Sequence, residues 1–149
     1  MAIHVRLEYR DPELSAAALR RTAKTILEAV GWPEAELSIL VVDDAAMRTL
    51  NREYRGLDRT TDVLAFPQSS PELAGPGGEV LGDVVLSAPR ARVQAKRYRR
   101  SFQGELERLL VHGVLHLLGH DHKRAGERAR MRAEERRLLT VLRQAHRRG

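Results

Sequence analysis

The eleven residues HGVLHLLGHDH, 112–122, hold four of the chain's six histidines. Imidazole binds metals and carries protons near neutral pH, and spacing decides which of the four act together. His112 and His116 are four apart, which on a helix sets their Cβ atoms about 5–6 Å apart on one face. Two imidazoles so placed can grip one metal ion. The ion needs a further ligand, and a straight helix carries the next candidate away. Gly119 offers a way back, because glycine takes the left-handed conformation that ends a helix and reverses the chain. His122, three residues on, is then expected to return to the same ion. Three neutral nitrogens leave a fourth position open, as catalytic zinc sites do. His120 sits in the tight turn and is expected outside the ligand set, on the surface or lining a groove. Asp121 is a candidate to accept the far N–H of a ligand histidine. His4, outward on a strand, and His146, in a basic tail, are read as non-functional.

The pattern H-x3-H-x2-G-x2-H is also the ligand spacing of the metzincin peptidases. Those enzymes carry a glutamate directly after the first histidine as general base. Here that position is Gly113, which abstracts no proton. The ligand geometry is that of a catalytic metal site without the peptidase base. Zinc, one ion per chain, suits three imidazoles, and other divalent transition metals such as nickel or copper accept them too.

These side chains need elements to hold them. Residues 3–9, IHVRLEY, alternate apolar and polar and read as a strand. Residues 14–31 form an amphipathic helix with Leu19, Ala23, Ile26, Leu27 and Val30 on its apolar stripe and Gly31 at its end. Residues 36–44, ELSILVVDD, read as a buried strand. Asp43 or Asp44 can cap a helix over 45–56 that Gly56 closes. TDVLAF is a short strand stopped by Pro67, and 68–78 is a loop rich in Gly, Pro and Ser. Residues 79–87 give another strand, whose Ser87 can cap a basic helix from Pro89 to residue 100. Helix 102–119 carries the histidine pair, and a last helix runs over 125–149 with Met131, Leu138, Leu139 and Leu142 as apolar marks. The order β-α-β-α-β-β-α-α-α predicts a single α+β domain over 1–149. It comprises about four strands in a mixed sheet packed with about five helices, with the metal site at the end of a central helix. Strand order is not readable from the pattern.

At 149 residues, 42% hydrophobic and 31% charged, the chain has the composition of a folded soluble domain rather than a disordered one. It has no cysteine, so neither disulfides nor thiolate ligands. No apolar run reaches the ~18–20 residues of a membrane span, and no apolar leader core opens the sequence. A cytoplasmic location and no membrane partner are expected. The net charge of +6 is uneven: residues 1–89 hold 9 Lys+Arg against 14 Asp+Glu, and residues 90–149 hold 17 against 6, giving −5 and +11. A basic half suggests a nucleic-acid partner. A solvated Arg-rich face is the competing explanation, since Arg outnumbers Lys 23 to 3. Within the segment RARVQAKRYRR, Arg97, Arg99 and Arg100 could guide an RNA backbone and Tyr98 could stack on a base.

The histidine stretch closely resembles the signature H-G-x-L-H-L-x-G-x-D-H of the YbeY family, bacterial metal-dependent endoribonucleases of ribosomal RNA maturation. YRGLDRTTDVLAFP (54–67) and LGDVVLS (81–87) agree in order and spacing, so the resemblance spans roughly residues 36–125. Ala65 stands where serine is commoner, and His120 where tyrosine often stands. The resemblance implies that His112, His116 and His122 bind the metal, usually zinc, and that Arg55 is a functional arginine. It implies cleavage of single-stranded RNA in maturation of the 16S rRNA 3′ end and in ribosome quality control. The implied partners are rRNA precursor and the small ribosomal subunit, with ribosomal proteins or assembly GTPases alongside. The alternative is a ribosome-assembly binding factor whose zinc is mainly structural. With Gly113 in the base position, proton transfer is left to water activated at the metal, to Asp121, or to the RNA 2′-hydroxyl.

Overall fold

A computed structural model describes residues 3–68, 80–120 and 124–148. Four strands and five helices follow in the expected order: β1 (Ile3–Leu7), α1 (Ala16–Ala29), β2 (Glu36–Val42), α2 (Asp44–Arg55), β3 (Val63–Pro67), β4 (Val80–Ser87), α3 (Ala88–Arg97), α4 (Phe102–Leu117) and α5 (Ala125–Arg148). The sheet order is β1-β2-β4-β3. The first three strands in that order run parallel, and β3 pairs antiparallel with β4 at the edge. This is the mixed α+β architecture that the sequence predicts.

The sheet buries both faces unequally. Leu37, Ile39 and Val41 of β2 and Val84 and Leu86 of β4 point into the larger core, which α1, α4 and α5 complete. Val42, Leu64 and Val85 point the other way, into a small core closed by Met47 of α2. Burial on both sides explains why β2 reads as an unbroken apolar run rather than an alternating one.

Side-chain caps set the helix starts. Ser15, Asp43, Ser87 and Ser101 each accept a backbone N–H three residues on, at 3.1, 2.8, 3.3 and 2.9 Å. Asp43 rather than Asp44 is therefore the α2 cap. Asp44 serves another purpose, its Oδ1 accepting from the buried Ser87 hydroxyl at 2.8 Å and from Thr60 at 3.3 Å. That cluster ties the start of α2 and the loop before β3 to the end of β4.

Most elements are a residue or two shorter than the sequence reading, and two boundaries differ for a clear reason. Pro67 does not stop β3 but is its last residue, opposite Gly82; an edge strand tolerates proline because one side of it needs no ladder donors. The basic helix stops at Arg97, so Tyr98, Arg99 and Arg100 form a turn. Arg99 is left-handed (φ 55°), and the Arg100 N–H bonds back to the Ala95 carbonyl at 2.8 Å. Ser101 must cap α4 immediately afterwards, which leaves three residues to reverse the chain.

Candidate functional site

The histidine pair lies on α4, whose apolar residues Phe102, Leu106, Leu109, Leu110, Val111, Val114 and Leu115 are buried, with His112 and His116 half-buried. The Nε2 atoms of His112 and His116 converge to 3.0 Å, with the rings edge to face at a centroid distance of 4.5 Å. Zinc–nitrogen bonds of about 2.0–2.1 Å at tetrahedral angles set two ligand nitrogens about 3.3 Å apart. The pair therefore fits such an ion closely. On its far side, His112 Nδ1 donates to the Glu135 carboxylate of α5 at 3.0 Å. A carboxylate only accepts, so this bond fixes the proton on Nδ1 and turns the Nε2 lone pair toward His116.

The helix ends as the spacing requires. Gly119 is left-handed (φ 94°), its N–H bonds to the His116 carbonyl at 3.0 Å, and the His120 N–H reaches back to the Leu115 carbonyl at 3.0 Å. His122 and Asp121, the expected third ligand and its neighbour, lie outside the described residues. Among the described residues no three His, Asp or Glu side chains form a metal-holding group. His120 lines a small cavity at the turn with Glu127 and Arg130.

Gly113 has a packing reason that its sequence position alone does not disclose. A Cβ there would stand 2.7 Å from Val84 Cγ1 and 3.1 Å from Val84 Cγ2. No side chain fits unless α4 moves away from the sheet. The position of the peptidase glutamate is thus closed sterically as well as chemically.

A groove of about 700 Å³ runs past the pair, lined by His112, Gly113 and His116 on one side and by Tyr54, Arg55 and residues 61–67 on the other. Arg55, the last residue of α2, is exposed and, among the described residues, makes no side-chain hydrogen bond or ion pair. Its neighbours are committed. Arg48 grips Asp58 with two bonds, of 2.9 and 3.1 Å, and Arg52 lies 3.9 Å from the same carboxylate. The Arg48 hydrogen bond is the main reason the Asp58 carboxyl titrates below its ordinary range. Asn51 Nδ2 donates to the Arg59 carbonyl at 2.8 Å and closes the loop. Of the three arginines of α2, Arg55 alone has no such partner among the described residues, and it lines the groove.

The RNA-binding candidates sit elsewhere. Arg97, Tyr98, Arg99 and Arg100 are all exposed at the α3–α4 turn and are not among the groove-lining residues. Arg97 and Arg100 flank the Tyr98 ring at 5.7 and 5.4 Å. Arg100 is further held by the fully buried Glu105, which also takes Arg108 Nε at 2.8 Å. His4 and His146 lie apart from the groove, paired with Glu36 and Glu107.

Two acids of the site escape the sequence reading. Glu135 lies 23 residues beyond His112, and only the packing of α5 on α4 brings it there. Asp62 lines the groove, its carboxylate accepting from Thr61 at 3.4 Å and from Gln94 at 3.2 Å. Both also act on Arg108, one turn before His112. Partial burial works against its charge, but the hydrogen bond to Glu105 and the negative charges of Glu105, Asp62 and Glu135 outweigh that and raise its pKa.

The sequence model of the family Endoribonuclease YbeY matches residues 4–143. The chain belongs to the YbeY family. An Endoribonuclease YbeY of Anaeromyxobacter sp. is 48% identical over 133 residues, covering 88% of this chain and 68% of that protein. One from Geobacter metallireducens is 38% identical over 144 residues, covering 95% and 96%. The solution structure of TM1509 from Thermotoga maritima shares the fold at a TM-score of 0.67 and 22% identity, over 97% of this chain and 91% of that one. Membership of YbeY makes the chain an endoribonuclease, a hydrolase of phosphodiester bonds, as the histidine stretch led us to expect. Among the described residues no helix is long and apolar enough to cross a membrane.

Proposed function

We propose that this chain is a metal-dependent endoribonuclease that cuts single-stranded RNA, with the precursor 3′ end of 16S rRNA as its substrate and ribosome quality control as its setting. The convergence of the His112 and His116 Nε2 atoms on the groove that Arg55 enters carries this reading. His112 and His116 hold the metal, with His122 as third ligand and zinc as the ion. When bound, zinc supplies a Lewis acid for a phosphate oxygen and lowers the pKa of water. Glu135 keeps His112 in the tautomer that presents Nε2. Arg55 lays a planar guanidinium on the phosphate, where charge builds on the non-bridging oxygens during cleavage. The buried flank of α4 keeps the pair rigid.

The test is cleavage of a single-stranded rRNA precursor by wild type, His116→Ala and Arg55→Glu. The reading expects cleavage by wild type alone. Equal cleavage by all three sinks the site assignment. A wild type that binds pre-ribosomal particles and never cleaves them favours the assembly factor with a structural metal.

A further inference from the structure

Helix α5 sorts its charges by exposure. Its three acids, Glu127, Glu134 and Glu135, are all half-buried. Glu135 holds His112, and Glu134 takes Arg137 at 2.8 Å. Its arginines Arg128, Arg132 and Arg136 are all exposed, as is Arg124 just before its first residue. These four repeat every fourth residue, so each step advances about 6 Å and turns about 40°. They form one slowly winding row. Among the described residues none of the four makes a side-chain hydrogen bond or ion pair.

A merely solvated face would mix signs, because Glu and Arg at i, i+4 support a helix and like charges oppose it. Here Arg128, Arg132 and Arg136 stand in successive i, i+4 positions, and Glu135, the acid near their line, is taken by His112. The arrangement works against the helix and gains nothing within the chain, so it calls for negative charge from outside. Its place says which. Arg128 precedes Glu135 by two turns and lies within about 20° of the same helix line. Glu135 touches His112. The row therefore passes the level of the histidine pair, with Arg132 three residues before Glu135 and Arg136 directly after it, while Arg55 lines the groove with β3. A strand with one phosphate at Arg55, laid across the pair, runs out over α5.

We infer that the Arg124, Arg128, Arg132 and Arg136 row is a track for the RNA backbone flanking the scissile phosphate, reading charge and not bases. The inference rests on the endoribonuclease reading above and deepens it, naming a substrate that extends well beyond the cut.

The variant Arg128→Gln/Arg132→Gln/Arg136→Gln keeps good helix formers and is checked for folding by its melting temperature. A control, Arg10→Gln/Arg20→Gln/Arg21→Gln, removes the same charge elsewhere. Binding of a labelled 2′-O-methyl single-stranded RNA is followed by anisotropy across a salt series. Cleavage of unmodified RNA is measured in parallel. The track predicts weaker binding for every sequence tried, and a log–log salt slope shallower by about 2, since each phosphate contact on a single strand contributes roughly 0.7. It also predicts a raised KM with kcat kept at saturation, and no advantage of long over short RNA in the track variant. Equal affinity and slope in variant and control overturn it. A wild type that binds with this salt dependence and cleaves nothing overturns the endoribonuclease reading and leaves the track standing; a wild type that binds no RNA overturns both.

Discussion

His112 and His116 hold their Nε2 atoms 3.0 Å apart, and Glu135 decides which way the first of them is protonated. Glu135→Gln keeps the shape and removes the charge. It should weaken zinc binding about 10–100-fold, read by competition with a chromophoric chelator, with the metal-free melting temperature little changed. Arg55→Lys keeps the charge and loses the fork. It should lower kcat on the order of 100-fold at full zinc occupancy, the scale of losing one donor to a developing oxyanion; an unchanged kcat would remove Arg55 from the chemistry. At this scale the sequence was partly legible. The histidine pair and the Gly119 turn follow from helical spacing alone. Arg55 needed the family resemblance, because a lone arginine at a helix end carries no mark. Glu135 had none either: it stands beside Glu134 on a charged helix, and only tertiary packing selects it.

The elements hold these residues by close contact. Gly113 lets α4 lie against β4, so Gly113→Ala should cost about 1–3 kcal/mol through overpacking, seen as a lower melting temperature, and should reduce cleavage by displacing the flanking histidine. Glu105 is buried and paired with two arginines at the surface. Arg108→Leu leaves it with Arg100 alone and should cost about 3 kcal/mol, the lower end of the range for breaking a buried ion pair. The Arg48–Asp58 clasp sets the loop after Arg55. Its carboxyl titrates low in the folded state, so its contribution is present above the ordinary carboxylate pKa and is lost as pH falls through the depressed value. Asp58→Asn should therefore melt below wild type at neutral pH, and the two melting curves should converge in acid. Element types and most boundaries were readable, because serine and aspartate caps and closing glycines mark them. The early end of α3 was not, since the arginines over 97–100 look equally helical and only the need to reverse before Ser101 forces the turn.

Across the whole molecule, charge and topology divide the labour. Residues 90–149 carry +11, and much of it lies on exposed arginines of α5 and of the α3–α4 turn. Binding to RNA should accordingly fall steeply with salt. The mixed sheet was legible as a count of strands and not as an order: β-α-β-α-β-β permits several arrangements, and only the pairing of β2 with β4 places β3 at the edge beside α4. That placement makes the groove, with Arg55 and Asp62 delivered on one wall and the histidines on the other. The central claim is that one metal held by the histidines works with Arg55 to cut RNA. Its most direct test strips the protein of metal and measures single-stranded RNA cleavage as zinc is returned. The account predicts a rate that rises in proportion to bound zinc and levels off at one ion per chain, with Arg55→Glu binding the same zinc and cleaving nothing. A rate indifferent to zinc would contradict it.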